Sequence, residues 1–416
     1  MREMTSNDIT ILQAPDSARD VTHLSESKRK LLEGLMRGAR LNSSERIPAI
    51  TPRPNQTRVP LSLQQLQVWL HAGMAVEVPF YNETITFHRQ GPLSPDVLQR
   101  CLCEVVRRHE IWRTTFEIQN GEPVQIINPP PSIFPLEVAD LSELPESQRV
   151  QKAAGLAREN ARRPFDVGKG PLLRAFLVRM GRADHRLYMT FHQLIFDGIT
   201  AQRIFLREIA TLYDAFSAGK PSPLPEPLIQ YGDFAYWQRD QLAPDVWARE
   251  RSFWEKQLAG KLPVLEWPSG HQRPILETHR GEILRFTFEE ATIGPVRTLS
   301  QREGASMYMT LLAAFGTVLH RYTGQDDIII GGLSAGRNRT DTESIPGFFV
   351  NPLALRIDFS GNPTFREVLN RVRTMVLESL AHAELPFAQV VKQVQQKSND
   401  IKFLKSTTNE NILTNK

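Results

Sequence analysis

Cysteine is nearly absent. Cys101 and Cys103 are the 2 in a chain of 416 residues; helical spacing turns them to different sides, and no ligand pattern lies nearby. Such a chain suits a reducing, cytoplasmic compartment. Long apolar runs are missing too: nothing approaches the ~18 residues that a membrane span needs. Met1-Arg2-Glu3 leads into polar sequence without the apolar core of a secretory signal. An excess of one charge is also lacking, with 50 basic against 46 acidic residues and a net charge of +4 that is scattered and not striped. Nucleic acid is therefore a poor expectation as a partner.

What is present fits a globular protein with long connecting loops: 41% hydrophobic residues, 23% charged residues and 29 prolines. The length suits two domains of roughly 150–200 residues plus tails. Residues 1–56 read as a tail holding one short helix, capped by Ser25 or Ser27, striped by Leu31, Leu32, Leu35 and Met36, and ended by Gly38. Pro48, Pro52, Pro54 and Pro60, with Arg46, Arg53 and Arg58, then favour an extended tether. A tether and a docking helix for a partner protein both remain open readings.

From Pro60 the pattern is that of a folded chain. Ser62 to Leu70 has helical spacing, and Tyr81 to His88 alternates as a strand. Ser94-Pro95 opens a helix whose stripe is Val97, Leu98, Cys101, Leu102, Val105 and Val106. Its end is the string Arg108-His109-Glu110-Ile111-Trp112-Arg113-Thr114-Thr115-Phe116, whose second half pairs through Asn120-Gly121 with Val124 to Ile127. A helix through Val150 to Arg162 and strands Leu172 to Met180 and His185 to Gln193 follow. The period of two puts Leu187, Met189, Phe191 and Gln193 on one face and His192 on the other.

Asp197-Gly198 then makes a turn, with Thr200 as cap and Ile204, Phe205, Ile209, Leu212 and Phe216 carrying a helix to Gly219. Pro221, Pro223, Pro225 and Pro227 mark a crossover. Beyond it come helical sequence over Tyr231 to Leu262, a strand Glu282 to Glu289, a helix Met307 to Tyr322, strands Asp327 to Gly332 and Phe348 to Phe359, a helix Thr364 to Ala381 and one starting at Pro386. Ser398 to Lys416 is polar with little periodicity.

Six strings, in order, resemble the condensation domains of nonribosomal peptide synthetases, members of the chloramphenicol-acetyltransferase-like superfamily. They are Ser62 to Trp69, Arg108 to Phe116, His192 to Gly198, Tyr231-Gly232-Asp233-Phe234-Ala235-Tyr236-Trp237, Gly347-Phe348-Phe349-Val350-Asn351 and His382-Ala383-Glu384-Leu385-Pro386-Phe387, and they span about Pro60 to Gln396. One such string is weak; six at sensible spacings are specific. The resemblance implies an α+β fold of mixed sheets and helices, with two acetyltransferase-like lobes in a V-shaped pseudo-dimer, residues 57–225 and 226–397, then a polar tail 398–416. Because the family's last motif, an Arg-Asp-x-Ser string followed by Pro-Leu-Phe-Gln, is not found, the second lobe is expected to be incomplete.

The same resemblance implies amide bond formation between a carrier-bound acyl or peptidyl thioester and a carrier-bound aminoacyl amine. Partners would be acyl or peptidyl carrier proteins upstream and downstream, with an adenylation domain as a further neighbour; no membrane, metal or cofactor is implied, the substrates riding on the carriers' phosphopantetheine. Catalytic candidates by position are His192, Gln193, Asp197 and Gly198, and Ser334 and Asn351 are candidates to line the substrate channel.

Two departures qualify the activity. Gln193 stands where the family has the second His of its His-His-x-x-x-Asp-Gly signature, the one that faces the reacting amine, and His192 faces away unless the strand slips by one residue. Glutamine exchanges no proton near neutral pH, although its amide can hydrogen-bond. Gln67 replaces the Arg of the opening motif, weakening the expected support of the signature loop. The sequence thus predicts a slow or inactive condensation domain, with a non-catalytic docking domain for carrier proteins or tailoring enzymes as the alternative. A free acyltransferase using coenzyme A would need the same missing His. For Asp197 the simplest reading is a salt-bridged turn residue.

Overall fold

The computed structural model describes residues 49–54, 57–74, 79–240, 244–268, 284 and 286–397. The tail helix expected at residues 31–36 and the polar stretch 398–416 lie outside them. The fold is α+β, with a separate hydrophobic core in each half of the chain.

In the first half, strands β1 (Arg58–Pro60), β3 (Thr114–Gln119) and β4 (Glu122–Ile127) form one sheet in the order β1-β4-β3. The strands β2 (Asn82–Gln90), β5 (Leu136–Asp140), β6 (Leu173–Gly181) and β7 (Asp184–His192) form a second, ordered β2-β7-β6-β5. β5 runs parallel to β6 and was not legible from its short, half-polar sequence. Helix α1 (Leu63–Met74) follows β1. Helix α2 (Pro95–Arg108) starts as its sequence predicts: the Ser94 hydroxyl accepts the Val97 N–H, Pro95 fills the first turn, and Leu98, Cys101, Leu102, Val105 and Val106 are buried. Helix α3 (Glu146–Arg162) covers the other face of the four-stranded sheet, and α4 (Leu206–Ser217) packs along α2.

The second half contains α5 (Tyr231–Asp240), α6 (Pro244–Gln257), α7 (Glu290–Arg302), α8 (Met307–Thr323), the antiparallel pair β8 (Asp327–Ser334) and β9 (Asn351–Asp358), α9 (Phe365–Ala381) and α10 (Phe387–Lys397). Three expectations change here. The helical sequence over residues 231–262 is two helices. Of the strand expected over 282–289, the described residues 284 and 286–289 are not in a strand. Helix α7, which carries Pro295 inside it, was not expected.

The halves interlock. Ile345, Phe348 and Phe349 belong to the first core, whereas Leu63 packs against the second. Helix α5 also belongs with the first core, through Tyr231 and Phe234. The fold also takes in the end of the expected tail: Ile50 is buried, and the Arg53 guanidinium lies between Glu110 at 2.7 Å and Asp233 at 2.6 Å. Proline and arginine richness describes backbone extension, not what a side chain meets, so the composition of 1–56 was misleading there.

Candidate functional site

The signature stretch sits at the end of β7, between the halves. Nine residue pairs, from Asn82↔His192 to Gln90↔Asp184, join β2 to β7 without a break, so no register slip moves His192 to the other face. The strand stops at His192. The Gln193 N–H still donates to the Tyr81 carbonyl at 2.9 Å, but its own carbonyl accepts the Phe196 N–H and opens one 3-10 turn over Gln193–Ile195. The alternation therefore ends one residue earlier than expected, and the pleat does not set the direction of the Gln193 side chain. The reversal is held by Phe196 stacking on Phe191, with ring centroids 4.2 Å apart and planes 5° from parallel. Trp112 closes over both rings and Phe205.

His192 is 5% exposed, in ring contact with Tyr81 and Phe165. Its Nδ1 accepts the Leu194 N–H at 3.2 Å, which places the proton of the neutral ring on Nε2. Burial pulls its pKa down to about 4. Nδ1 is thus occupied and Nε2 already protonated, a poor arrangement for accepting a proton. Gln193 is half-buried, and its side-chain amide makes no hydrogen bond among the described residues.

Asp197 is committed to structure. Its carboxylate accepts the Thr200 N–H at 2.7 Å, the Phe349 N–H at 3.2 Å and Arg337 Nη2 at 3.0 Å. Arg337 Nη2 also donates to the Thr200 hydroxyl, Nη1 donates to the Thr342 and Ile345 carbonyls, and the guanidinium lies 4.1 Å from the Phe349 ring centroid. Burial lowers the Arg337 pKa, and Asp197 opposes that. The Thr200 hydroxyl further accepts the Gly347 N–H and donates to the Gly347 carbonyl. Gly347 has φ 153°, and a Cβ there would enter the Tyr231 ring, so only glycine lets the two segments come this close. Gly198 has open space around its Cα.

The six strings are partners of one another. Gln65 donates to the Leu194 carbonyl at 2.9 Å and so holds the signature loop from α1. The Tyr231 hydroxyl donates to the Phe348 carbonyl and meets Ser62 Oγ at 2.8 Å; burial pushes its pKa up. Glu110 and Asp233 share Arg53, and His109 pairs with Glu208 at 2.8 Å. His382 stacks on Phe253 and bonds Glu250. Asn351, 1% exposed, donates both amide protons to the Ala383 and Leu385 carbonyls and accepts the Phe387 N–H, which fixes the loop before α10. Ser334 is 3% exposed and accepts the Gly336 N–H.

The structure therefore brings His192, Gln193, Asp197 and Gly198 together in one loop and places Ser334 and Asn351 as buried, internally bonded residues. Sequence reading missed Gln65 and Arg337 as supports of that loop. A charged residue between Gly336 and a β-strand was the available signal for Arg337, because a buried guanidinium requires a carboxylate. Among the described residues, no group of three or more His, Cys, Asp or Glu side chains is placed to hold a metal ion, and no helix is long and apolar enough to cross a membrane.

Two α+β halves, joined where a strand-end His-Gln-x-x-x-Asp-Gly loop is braced by an arginine of the second half, define a chloramphenicol-acetyltransferase-like protein. The chain belongs to the condensation-domain family, whose model matches residues 55–412. It is 41% identical over 346 residues to a linear gramicidin synthase of Brevibacillus parabrevis, covering 83% of this chain and 4% of that protein. The chain thus spans only a small part of the curated relatives it matches. Among solved structures it is similar to the X-domain from teicoplanin biosynthesis, with a TM-score of 0.75, 26% identity and coverage of 84% of this chain and 76% of that one. That X-domain has also been solved in complex with OxyB. SgcC5 of Streptomyces globisporus matches with a TM-score of 0.67, 32% identity and coverage of 81% and 76%.

Proposed function

We propose that this chain is a condensation domain of a nonribosomal peptide or hybrid polyketide-peptide assembly line that forms amides slowly. The amine of a carrier-bound aminoacyl group attacks the thioester carbonyl of a carrier-bound acyl or peptidyl group. The carbon–sulfur bond breaks, and the pantetheine sulfur leaves as a thiol with the proton lost by nitrogen. The observation that carries this reading is Gln193, which begins the turn after β7 within an otherwise intact and braced signature loop. An intact frame holds two substrates together, and proximity alone supplies several kcal/mol of barrier lowering. The α-amine, with a pKa near 8, is partly neutral without help. A missing general base then costs about 10²–10⁴-fold in rate.

Similarity to the X-domain, which has been solved in complex with OxyB, favours a second reading: a docking domain that binds carrier proteins or a tailoring enzyme without forming a bond. Loading an upstream acyl carrier and a downstream aminoacyl carrier and following product by mass spectrometry separates the two. Slow product from the natural protein, raised at least ~10²-fold by Gln193→His and little changed by His192→Ala, is expected for the first. Carrier binding with no product from either the natural protein or Gln193→His supports docking.

A further inference from the structure

On the face of the sheet that carries Phe191, β2 presents Phe87, Ile85 and Glu83, paired in turn with Leu187, Met189 and Phe191. Phe87 and Ile85 pack against the first core. Glu83, the last of this row before the signature loop, is exposed. The next row of the ladder is Tyr81 with Gln193, joined by the 2.9 Å bond from the Gln193 N–H to the Tyr81 carbonyl. Glu83 is therefore the diagonal neighbour of Gln193, and such positions lie about 7–8 Å apart across an antiparallel pair. Two long polar side chains at that spacing can hold one small polar group between them.

The Glu83 carboxylate has no ion pair or hydrogen bond among the described residues. Surrounding protein raises its pKa although solvent reaches the side chain, as for a residue on the wall of a recess. A carboxylate so placed lacks a cation, and none of the roles described above uses it.

We propose that Glu83 binds the acceptor amine: it receives the ammonium of the incoming aminoacyl group and, together with Gln193, takes over the position left by the missing histidine. The inference rests on the condensation reading for the identity of the ligand as an aminoacyl group. In the reaction, the ammonium passes one proton to the Glu83 carboxylate, the freed lone pair attacks the thioester carbonyl, and the carbon–sulfur bond breaks. The second nitrogen proton leaves with the sulfur as a thiol, and Glu83 returns its proton to solvent.

The test compares the binding of two hydrolysis-resistant probes by the full chain: an aminoacyl pantetheine amide and the same molecule without its α-amine. The natural protein is expected to prefer the amine about tenfold or more, as a charge-assisted contact gives. Glu83→Gln should remove that preference while binding the des-amino probe unchanged, and Glu83→Asp should keep part of it. Equal binding of the two probes by the natural protein, or an undiminished preference in Glu83→Gln, overturns the proposal. Product formation from loaded carriers is read separately. A chain that makes no amide but shows the Glu83-dependent preference keeps this inference and loses the catalytic reading; a chain that makes amide equally well with Glu83→Gln does the reverse.

Discussion

Arg337 and Asp197 are 140 residues apart in sequence and 3.0 Å apart in space, with side chains 5% and 0% exposed. The pair fastens the turn after β7 to the loop before β9, and three backbone segments hang on it through Phe349, Thr342 and Ile345. Charge buried this deeply is stable only as a pair, because each member removed leaves the other desolvated and uncompensated. Arg337→Met is expected to cost about 3–5 kcal/mol in urea unfolding. The double variant Arg337→Met with Asp197→Asn should lose less than the sum of the two singles. Additive losses would mean that the two side chains stabilise the seam independently.

His192 gives stability a pH dependence of known sign. Its pKa falls from 6.5 to about 4 in the folded protein because burial disfavours the imidazolium. Between those values the unfolded chain binds a proton that the folded chain does not, so stability is full above pH ~6.5 and declines as pH falls toward 4. The total loss is on the order of 3 kcal/mol. Unfolding measured at several pH values should show this slope in the natural protein and a flatter one in His192→Asn. An identical slope in the variant would assign the acid sensitivity to other groups.

Much of the fold was legible where local chemistry decides it. Ser94-Pro95 fixes where α2 starts, and alternation through Leu187, Met189 and Phe191 fixes which face of β7 is buried. Legibility failed where a partner distant in sequence decides. The alternation could not show that Gln193 leaves the strand, since that follows from Phe196 folding back onto Phe191. Glu83 read as an ordinary polar residue of an alternating strand, because its meaning comes from the register against β7. Arg53 sat in a proline-rich stretch and looked like part of a tether until its carboxylate partners at 110 and 233 came into view.

That correction makes the start of the chain testable. A protein beginning at Ala49 retains Ile50 in the core and Arg53 between Glu110 and Asp233; one beginning at Thr57 loses both contacts. Two partly buried carboxylates then share no cation, and an apolar site is emptied. The shorter chain should melt several degrees lower, corresponding to about 3 kcal/mol or more. Arg53→Met in the full chain should reproduce most of that drop. Equal midpoints for the two truncated chains would show that the segment 49–56 adds nothing to the fold.

Support for the signature loop from α1 comes through Gln65, which changes what the glutamine at position 67 means. Gln65 donates to the Leu194 carbonyl and accepts the Ser62 N–H, and both partners are buried. Gln65→Leu leaves the two backbone groups unpaired, each at a cost of about 1–3 kcal/mol. Gln67 is half-buried and holds neither group, so restoring arginine there should shift stability by no more than about 0.5 kcal/mol. The two variants also separate fold from chemistry when placed in the Gln193→His background. Gln65→Leu should lower product formation as the loop loosens, whereas Gln67→Arg should leave it unchanged. A large gain from Gln67→Arg would mean that the charge missing from the opening motif, and not the amide at position 65, limits the site.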